Sequence, residues 1–236
     1  MRMEAELLPL ADEYPTPNHQ LTMNIIVWNN RGALKPNFQN QIQELTHNHD
    51  LAIFVVMGTR LGGERAREIT DQILELTHNH DLAVFVVMGT RLGGERAREI
   101  TDRLPFDSAI HTETIKYVGR LWLLWNSNKV EVEALANTEQ EIHVEVKVRT
   151  FNSTWLFSAI YTSPKSKERQ VLCSNLSKVA ELHNKPWIMT GDFNEPLVEG
   201  DKFGGRGVSL NISLLFKECL NRCNMIDMGI SGLRYT

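Results

Sequence analysis

Asp192 and Asn194 stand two residues apart where the apolar run Trp187-Ile188-Met189-Thr190 gives way to Gly191. That run, bounded by Pro186 and Gly191, reads as a buried strand, and the glycine lets the backbone turn so that both polar side chains leave from one side. A carboxylate and a carboxamide placed together can hold a divalent cation and a phosphate oxygen. Asp and Asn are also ordinary turn residues, so spacing alone favours a polar turn that merely caps the strand. Two further strand ends carry comparable groups: Trp28-Asn29-Asn30-Arg31-Gly32, and Ile160-Tyr161-Thr162-Ser163-Pro164. Three polar exits in one chain are more specific than one.

The elements that must position these exits can be read from periodicity. Residues 1–22 show neither strand alternation nor a sustained helical face and read as a loosely ordered leader, so the folded part is expected to span 23–236. A first strand covers Met23 to Trp28. Residues 41–71 then recur as 72–102 at an offset of 31, differing only at Gln43/Leu74 and Ile53/Val84. Each copy holds a helical stretch, a strand (Leu51–Met57 or Leu82–Met88) and a Gly-Gly turn opening another helix. Two near-identical units followed by unrelated sequence do not make a repeat architecture, and one copy is surplus to a single compact sheet.

Further on, Arg120–Trp125 reads as a buried strand. Glu141–Arg149 alternates strictly, which predicts a half-buried antiparallel strand with its charges in solvent, returned by the Asn152-Ser153 turn as Trp155–Tyr161. Pro164 suits the first turn of a helix to about His183 with Leu172, Leu176 and Val179 on its buried side, and a last helix carries Ile212, Leu215, Phe216, Cys219 and Cys223 at helical spacing. Hairpins with helices between strand groups predict an α/β (α+β) fold, two packed sheets with helices outside them.

Composition bounds the function. The chain has 236 residues and a formal net charge of -4, so any nucleic acid must be held by a local patch and not by a global positive field. Cys173, Cys219 and Cys223 make an odd set with no paired framework, which fits a reducing compartment and core thiols. No apolar run is long enough to span a bilayer, so the expectation is a soluble, intracellular protein with no membrane partner. His47-Asn48-His49-Asp50 and its copy His78-Asn79-His80-Asp81 have no further ligand nearby and read as solvated turns. Arg65/Arg67 and Arg96/Arg98 read as exposed helix faces.

In order and spacing the three exits resemble the endonuclease/exonuclease/phosphatase superfamily, and most closely the endonuclease domain of plant LINE-type retrotransposons. The residues that carry the resemblance are Met23-Asn24-Ile25, Trp28-Asn29-Asn30-Arg31-Gly32, Tyr161-Thr162-Ser163-Pro164, Pro186-Trp187 with Gly191-Asp192-Phe193-Asn194-Glu195, Lys202-Phe203-Gly204-Gly205-Arg206, and Met225-Ile226-Asp227-Met228-Gly229-Ile230-Ser231-Gly232. The resemblance implies a DNase I-like four-layer sandwich, a Mg²⁺-dependent site in which Mn²⁺ could substitute, DNA as partner and a nuclear location. It implies metal binding by Asn29 and Asp192, a phosphate donor in Tyr161, water activation by Asp192, and alignment of that water or the phosphate by Asn194.

Two departures from the family pattern imply an impaired or inactive enzyme, or a non-catalytic nucleic-acid-binding remnant. The second strand of the family ends in Glu-Thr, and that Glu is its chief metal carboxylate; here Gly58 and Gly89 stand in its place. Glycine offers no side-chain oxygen to a hard cation. The family also completes its site with a late Asp and a Ser-Asp-His motif, and the sequence reaches Thr236 before either, so the sandwich is expected to be incomplete at the C-terminus.

Overall fold

The structure, a computed structural model, describes residues 24–29, 51–58, 66–79, 82–90, 92–112, 120–150, 153–163, 165–194 and 210–229. The leader at 1–22, the Asn30-Arg31-Gly32 exit, Pro164, the Lys202–Arg206 turn, His47–Asp50, His80–Asp81 and Ile230–Thr236 lie outside them.

A five-stranded sheet takes the order β1-β2-β3-β5-β4, from β1 (Asn24–Asn29), β2 (Leu51–Met57), β3 (Val84–Thr90), β4 (Ser108–His111) and β5 (Arg120–Trp125). A four-stranded sheet takes the order β6-β7-β8-β9, from β6 (Val130–Asn137), β7 (Glu141–Val148), β8 (Ser153–Tyr161) and β9 (Trp187–Asp192). Both are mixed: β1, β2 and β3 run parallel while β5 opposes β3 and β4, and β9 runs parallel to β8 while β7 opposes β6 and β8.

Successive strand residues point to opposite faces, and the apolar runs of β2 and β3 use both. Ile53, Val55, Val84, Val86 and Met88 face inward onto Ile142, Val144, Val146, Trp155 and Phe157 of the other sheet. Phe54, Val56, Phe85 and Val87 face outward and are covered by Ile73 of α1 (Ala66–Asn79) and Ala97 of α2 (Glu95–Thr101). The second sheet turns Ile160, Trp187 and Met189 outward beneath Leu172 and Leu176 of α3 (Ser166–Leu182) and Phe216, Cys219 and Cys223 of α4 (Leu210–Arg222). Helices, sheet, sheet and helices make the expected four layers.

The repeated segment does not leave the sheet. Ile53 pairs with Val84, Phe54 with Phe85, Val55 with Val86 and Val56 with Val87, so the two copies lie side by side with like residue opposite like. The Phe54 and Phe85 rings stack at 6.0 Å. The surplus unit is thus an additional central strand. It serves as β1's neighbour on one side, while the second copy serves β5 on the other.

Two expectations about burial are corrected. The polar face of β7 is not solvated: Glu141 and His143 are buried under α3, and only Lys147 of that face is exposed. Leu215 is exposed, and α4 packs through Phe216, Cys219 and Cys223. Edge strands β4 and β6 were not anticipated. Arg96 and Arg98 are exposed as expected, whereas His78 and Asn79 belong to the last turn of α1 and not to a turn beyond it; His78 is exposed, with its ring Nδ1 2.8 Å from the Leu74 carbonyl.

His111 on β4 meets Trp122 edge-on at 5.9 Å. Burial pushes its imidazole below the ordinary value of 6.5, Arg98 adds to this, and Asp102 opposes it. The folded state therefore takes up a proton less readily than the unfolded chain. The resulting stability is full above 6.5 and is lost as pH falls through the folded value. Acidification from about pH 7 to about pH 5 should lower the melting temperature, and His111→Phe should remove part of that sensitivity. An unchanged pH slope in thermal melts of the variant would refute the assignment.

Candidate active site

Gly89 interrupts the ladder between β3 and β5: Met88 pairs with Leu121 and Thr90 with Arg120, leaving the glycine as a bulge at φ 77°. Gly58 ends β2 at φ 67°. Such left-handed backbone suits glycine because no Cβ collides with the following carbonyl. The two exits are adjacent, since a Cβ built on Gly89 would lie 3.6 Å from the Gly58 Cα. The same Cβ would lie 3.4 Å from Tyr161 Cε2. The exit of β3 in one sheet therefore meets the exit of β8 in the other.

Asp192 is brought to this place by register. Tyr161 pairs with Asp192 across the parallel β8–β9 ladder, so the two side chains leave the same face, and Tyr161 packs among the residues between the sheets. Tyr161 and Asp192 are thus directed toward Gly58 and Gly89. Gly191 makes this approach possible: with φ at 154° it lies so close to β8 that a Cβ would fall 1.9 Å from the Ile160 carbonyl oxygen.

The turn beyond β9 is built from its own polar groups. The Asn194 backbone N–H donates to Asp192 Oδ1 at 3.0 Å, and the Asn194 Nδ2 donates to the Thr162 carbonyl at 2.7 Å. Asn194 takes φ 46°, a conformation asparagine tolerates. The bland reading, a polar turn capping a strand, is therefore realised as an Asx-type turn. The chemistry is compatible with it, because Asp192 retains its second oxygen and Asn194 its amide oxygen.

Of the four sequence candidates, Tyr161, Asp192 and Asn194 gather at one place. Asn29 ends β1 beside Met57, at the same end of its sheet but across β2 from Gly89; its side chain lies outside the described residues. The inserted β2 sets it one strand spacing, about 4.8 Å, farther from β3 than a sheet with a single copy would.

Two contributors were missed. Buried Gln140 fastens the β8 exit: its carbonyl accepts the Tyr161 N–H at 2.8 Å, its Oε1 accepts the Ser163 N–H at 3.0 Å, and its Nε2 donates to the Glu168 carbonyl at 3.0 Å. Nothing in the polar Asn137-Thr138-Glu139-Gln140 run signals this. Arg120 pairs with Thr90 at the same end of the first sheet, and its guanidinium lies over Gly93, where a built Cβ would meet it at 1.4 Å. A cation opening an otherwise apolar strand was the available signal.

Mg²⁺ requires about six hard oxygen ligands in near-octahedral geometry. At the junction of exits Asp192 is the one carboxylate among the described residues, Gly58 and Gly89 contribute no side chain, and no group of three or more His, Cys, Asp or Glu residues there could hold a metal ion. The described residues do not build a cage for the cation. What they can do is accept a proton at Asp192 and offer an amide and a phenol to a phosphate.

Two packed mixed sheets between helical layers make a DNase I-like sandwich. Neither a protein-family model nor a curated protein matches the chain. Among solved structures it is similar to the endonuclease domain of TRAS1, a telomere-specific non-LTR retrotransposon, with TM-score 0.51 at 11% identity over 72% of this chain and 71% of that one. It is also similar to a mannosyl-6-phosphatase of Bacteroides thetaiotaomicron (TM-score 0.47, 15% identity, 61% and 65% covered). An endonuclease/exonuclease/phosphatase family protein of the same organism gives TM-score 0.42 at 16% identity, with 57% and 58% covered. The chain spans less than two thirds of the last two. No helix among the described residues is long and apolar enough to cross a membrane.

Proposed function

We propose that the chain is a phosphodiesterase-type domain of the plant LINE endonuclease kind, with DNA as its partner, that binds Mg²⁺ weakly and is impaired or inactive as a nuclease. The observation that carries this reading is the meeting of Tyr161, Asp192 and Asn194 with two glycines at the junction of the sheets. The three polar residues form the preserved half of a hydrolytic site: Asp192 takes the proton from water, Tyr161 donates to the phosphate, and Asn194 holds that water or the phosphate in line. The glycines occupy the position from which a carboxylate would face Tyr161. Loss of a directly coordinating group should cost more than the roughly 10- to 100-fold that an outer contact costs.

The test is nicking of supercoiled plasmid in Mg²⁺ or Mn²⁺ buffer. Strand breakage at the level of buffer alone is expected. Robust turnover that disappears with Asp192→Ala would overturn the inactive reading. Salt-sensitive retention of DNA on a filter should persist without cleavage, and its absence at low salt would remove DNA as the partner.

The geometry also selects where a carboxylate can be restored. Gly89→Glu aims a side chain at Tyr161, and it should tighten Mg²⁺ binding by 10-fold or more, on the order of a lost coordinating contact regained. The left-handed backbone should cost about 1–2 kcal/mol of stability at the same time. Calorimetric titration that shows no tightening in a folded variant would place the metal position elsewhere.

A further inference from the structure

All three cysteines of the chain converge on the interface between α3 and α4, away from the strand exits. Cys173 lies on α3 and is partly exposed, Cys219 lies on α4 and is buried, and Cys223 follows one turn later, also buried. Cys173 packs against the buried cluster that holds Cys219 and Cys223 together with Leu172, Leu176 and Phe216. Thiols from two facing helices packed in one cluster, one partly open to solvent and one enclosed, form a dithiol pair rather than inert core filling.

We propose that Cys173 and Cys219 are a peroxide-responsive thiol pair that closes into a reversible disulfide joining α3 to α4. The Cys173 thiolate attacks the terminal oxygen of a hydroperoxide. The O–O bond breaks, an alcohol or water leaves after taking up a proton, and Cys173 becomes a sulfenic acid. The Cys219 sulfur then displaces the sulfenic oxygen, which leaves as water with the Cys219 proton, and the S–S bond forms. One peroxide is reduced by two electrons as the two thiols are oxidised.

The surroundings suit these roles. The hydrogen bond from Cys219 holds the Cys173 thiol below its usual range against the opposing effect of burial, with Arg222 and Arg169 assisting and Glu141 opposing. The bond to Cys173 and burial together push Cys219 up, so it keeps its proton and acts as the donor. Cys223 is pushed up chiefly by burial and stands aside. A low-pKa, partly exposed thiol beside a protonated partner is the arrangement in which the first attacks and the second resolves.

The link has a route to the strand exits. Phe216, one turn before Cys219, packs on Phe193 at 5.4 Å, and Phe193 lies between Asp192 and Asn194. Fixing α4 against α3 therefore fixes the surface on which that turn rests.

The experiment treats the whole chain with a small excess of hydrogen peroxide, blocks the remaining thiols with N-ethylmaleimide, and maps peptides by mass spectrometry without reduction. The expected result is one blocked cysteine, Cys223, together with a Cys173–Cys219 cross-linked peptide that dithiothreitol abolishes. Cys219→Ser should trap Cys173 as a dimedone-reactive sulfenic acid, and Cys223→Ser should leave the cross-link intact. Three blocked thiols, a Cys219–Cys223 link, an intermolecular disulfide or Cys173 sulfinic acid without cross-link would each overturn the proposal. Because the decisive measurement uses the unmodified chain, poor folding of either variant leaves it standing as a test.

Discussion

Gly191→Ala should be among the most destabilising single substitutions in this protein, with an expected loss of about 4 kcal/mol or more in the free energy of unfolding. The added methyl would enter 1.9 Å from the Ile160 carbonyl oxygen and 2.7 Å from its carbon. These are backbone atoms, so no side chain can swing away. The β8–β9 ladder would have to part at the place where Tyr161 meets Asp192. Gly229 supplies a comparison, because its φ of 68° is also left-handed but nothing lies within 4 Å of its Cβ. Gly229→Ala should therefore show only the backbone cost, about 1–2 kcal/mol. Urea denaturation of both variants makes the comparison. Equal, small losses would mean that β9 can shift away from β8 at little cost, and the close approach would then have no role in holding the site.

The second large effect is expected beneath α3. His143 Nε2 lies 3.0 Å from Glu141 Oε2, near enough for a strong polar contact though not aligned as a directed hydrogen bond. Nδ1 of the same ring is 2.6 Å from Ser158 Oγ, which also accepts the Trp187 indole N–H at 2.8 Å. Glu141 Oε1 accepts from Asn175 of α3 at 2.5 Å and from Thr138 at 3.2 Å. Both residues are about 1% exposed, so removing one partner leaves the other without water to replace it. His143→Leu alone, or Glu141→Leu alone, should cost about 3–5 kcal/mol. The double variant should lose clearly less than the sum, because neither member of the pair is left buried without the other. Strict additivity in a double-mutant cycle would show that the two residues do not act as a unit.

The architecture was legible wherever an apolar run had to be buried. The strands from Ile25 to Trp28, Phe54 to Val56 and Phe85 to Val87, the Trp155–Ile160 run, and the helix carrying Leu172 and Leu176 all fell where periodicity placed them. Short edge strands were not legible, since β4 and β6 bury little of their own surface and β6 alternates with glutamates, Glu131 and Glu133, over only its first four residues. Nor was the covering of Glu141 and His143, because alternation reports which residues share a face and not what the chain later lays across it. The repeat makes the same point. Ala66–Thr70 and Ala97–Thr101 are identical, yet the first runs on to Asn79 and the second stops, because Gln72-Ile73-Leu74 can extend a helix and Arg103-Leu104-Pro105 cannot.

The candidate site was legible in part. Asp192, Asn194 and Tyr161 announced themselves through residue type at strand ends, and the structure gathers them. Gln140 gave no such sign, since its contribution is a clamp formed by a loop twenty residues away in sequence from the exit it holds. The left-handed backbone at Gly58 and Gly89 was equally silent, because a glycine in sequence shows a missing side chain but not the bulge that requires it.

The pairing of β2 with β3 carries one more consequence. Phe-Val-Val lies against its own duplicate, parallel and unshifted, so the segment satisfies its hydrogen bonds and packs its rings by recognising itself. That is the rule by which cross-β fibrils add one molecule to the next. Within the folded chain the recognition is used up internally, each copy occupied by the other and flanked by β1 and β5. In a partly unfolded chain either copy is a template for the matching segment of a neighbouring molecule, so the contact that completes the central sheet is also the one through which these molecules would seed an ordered aggregate.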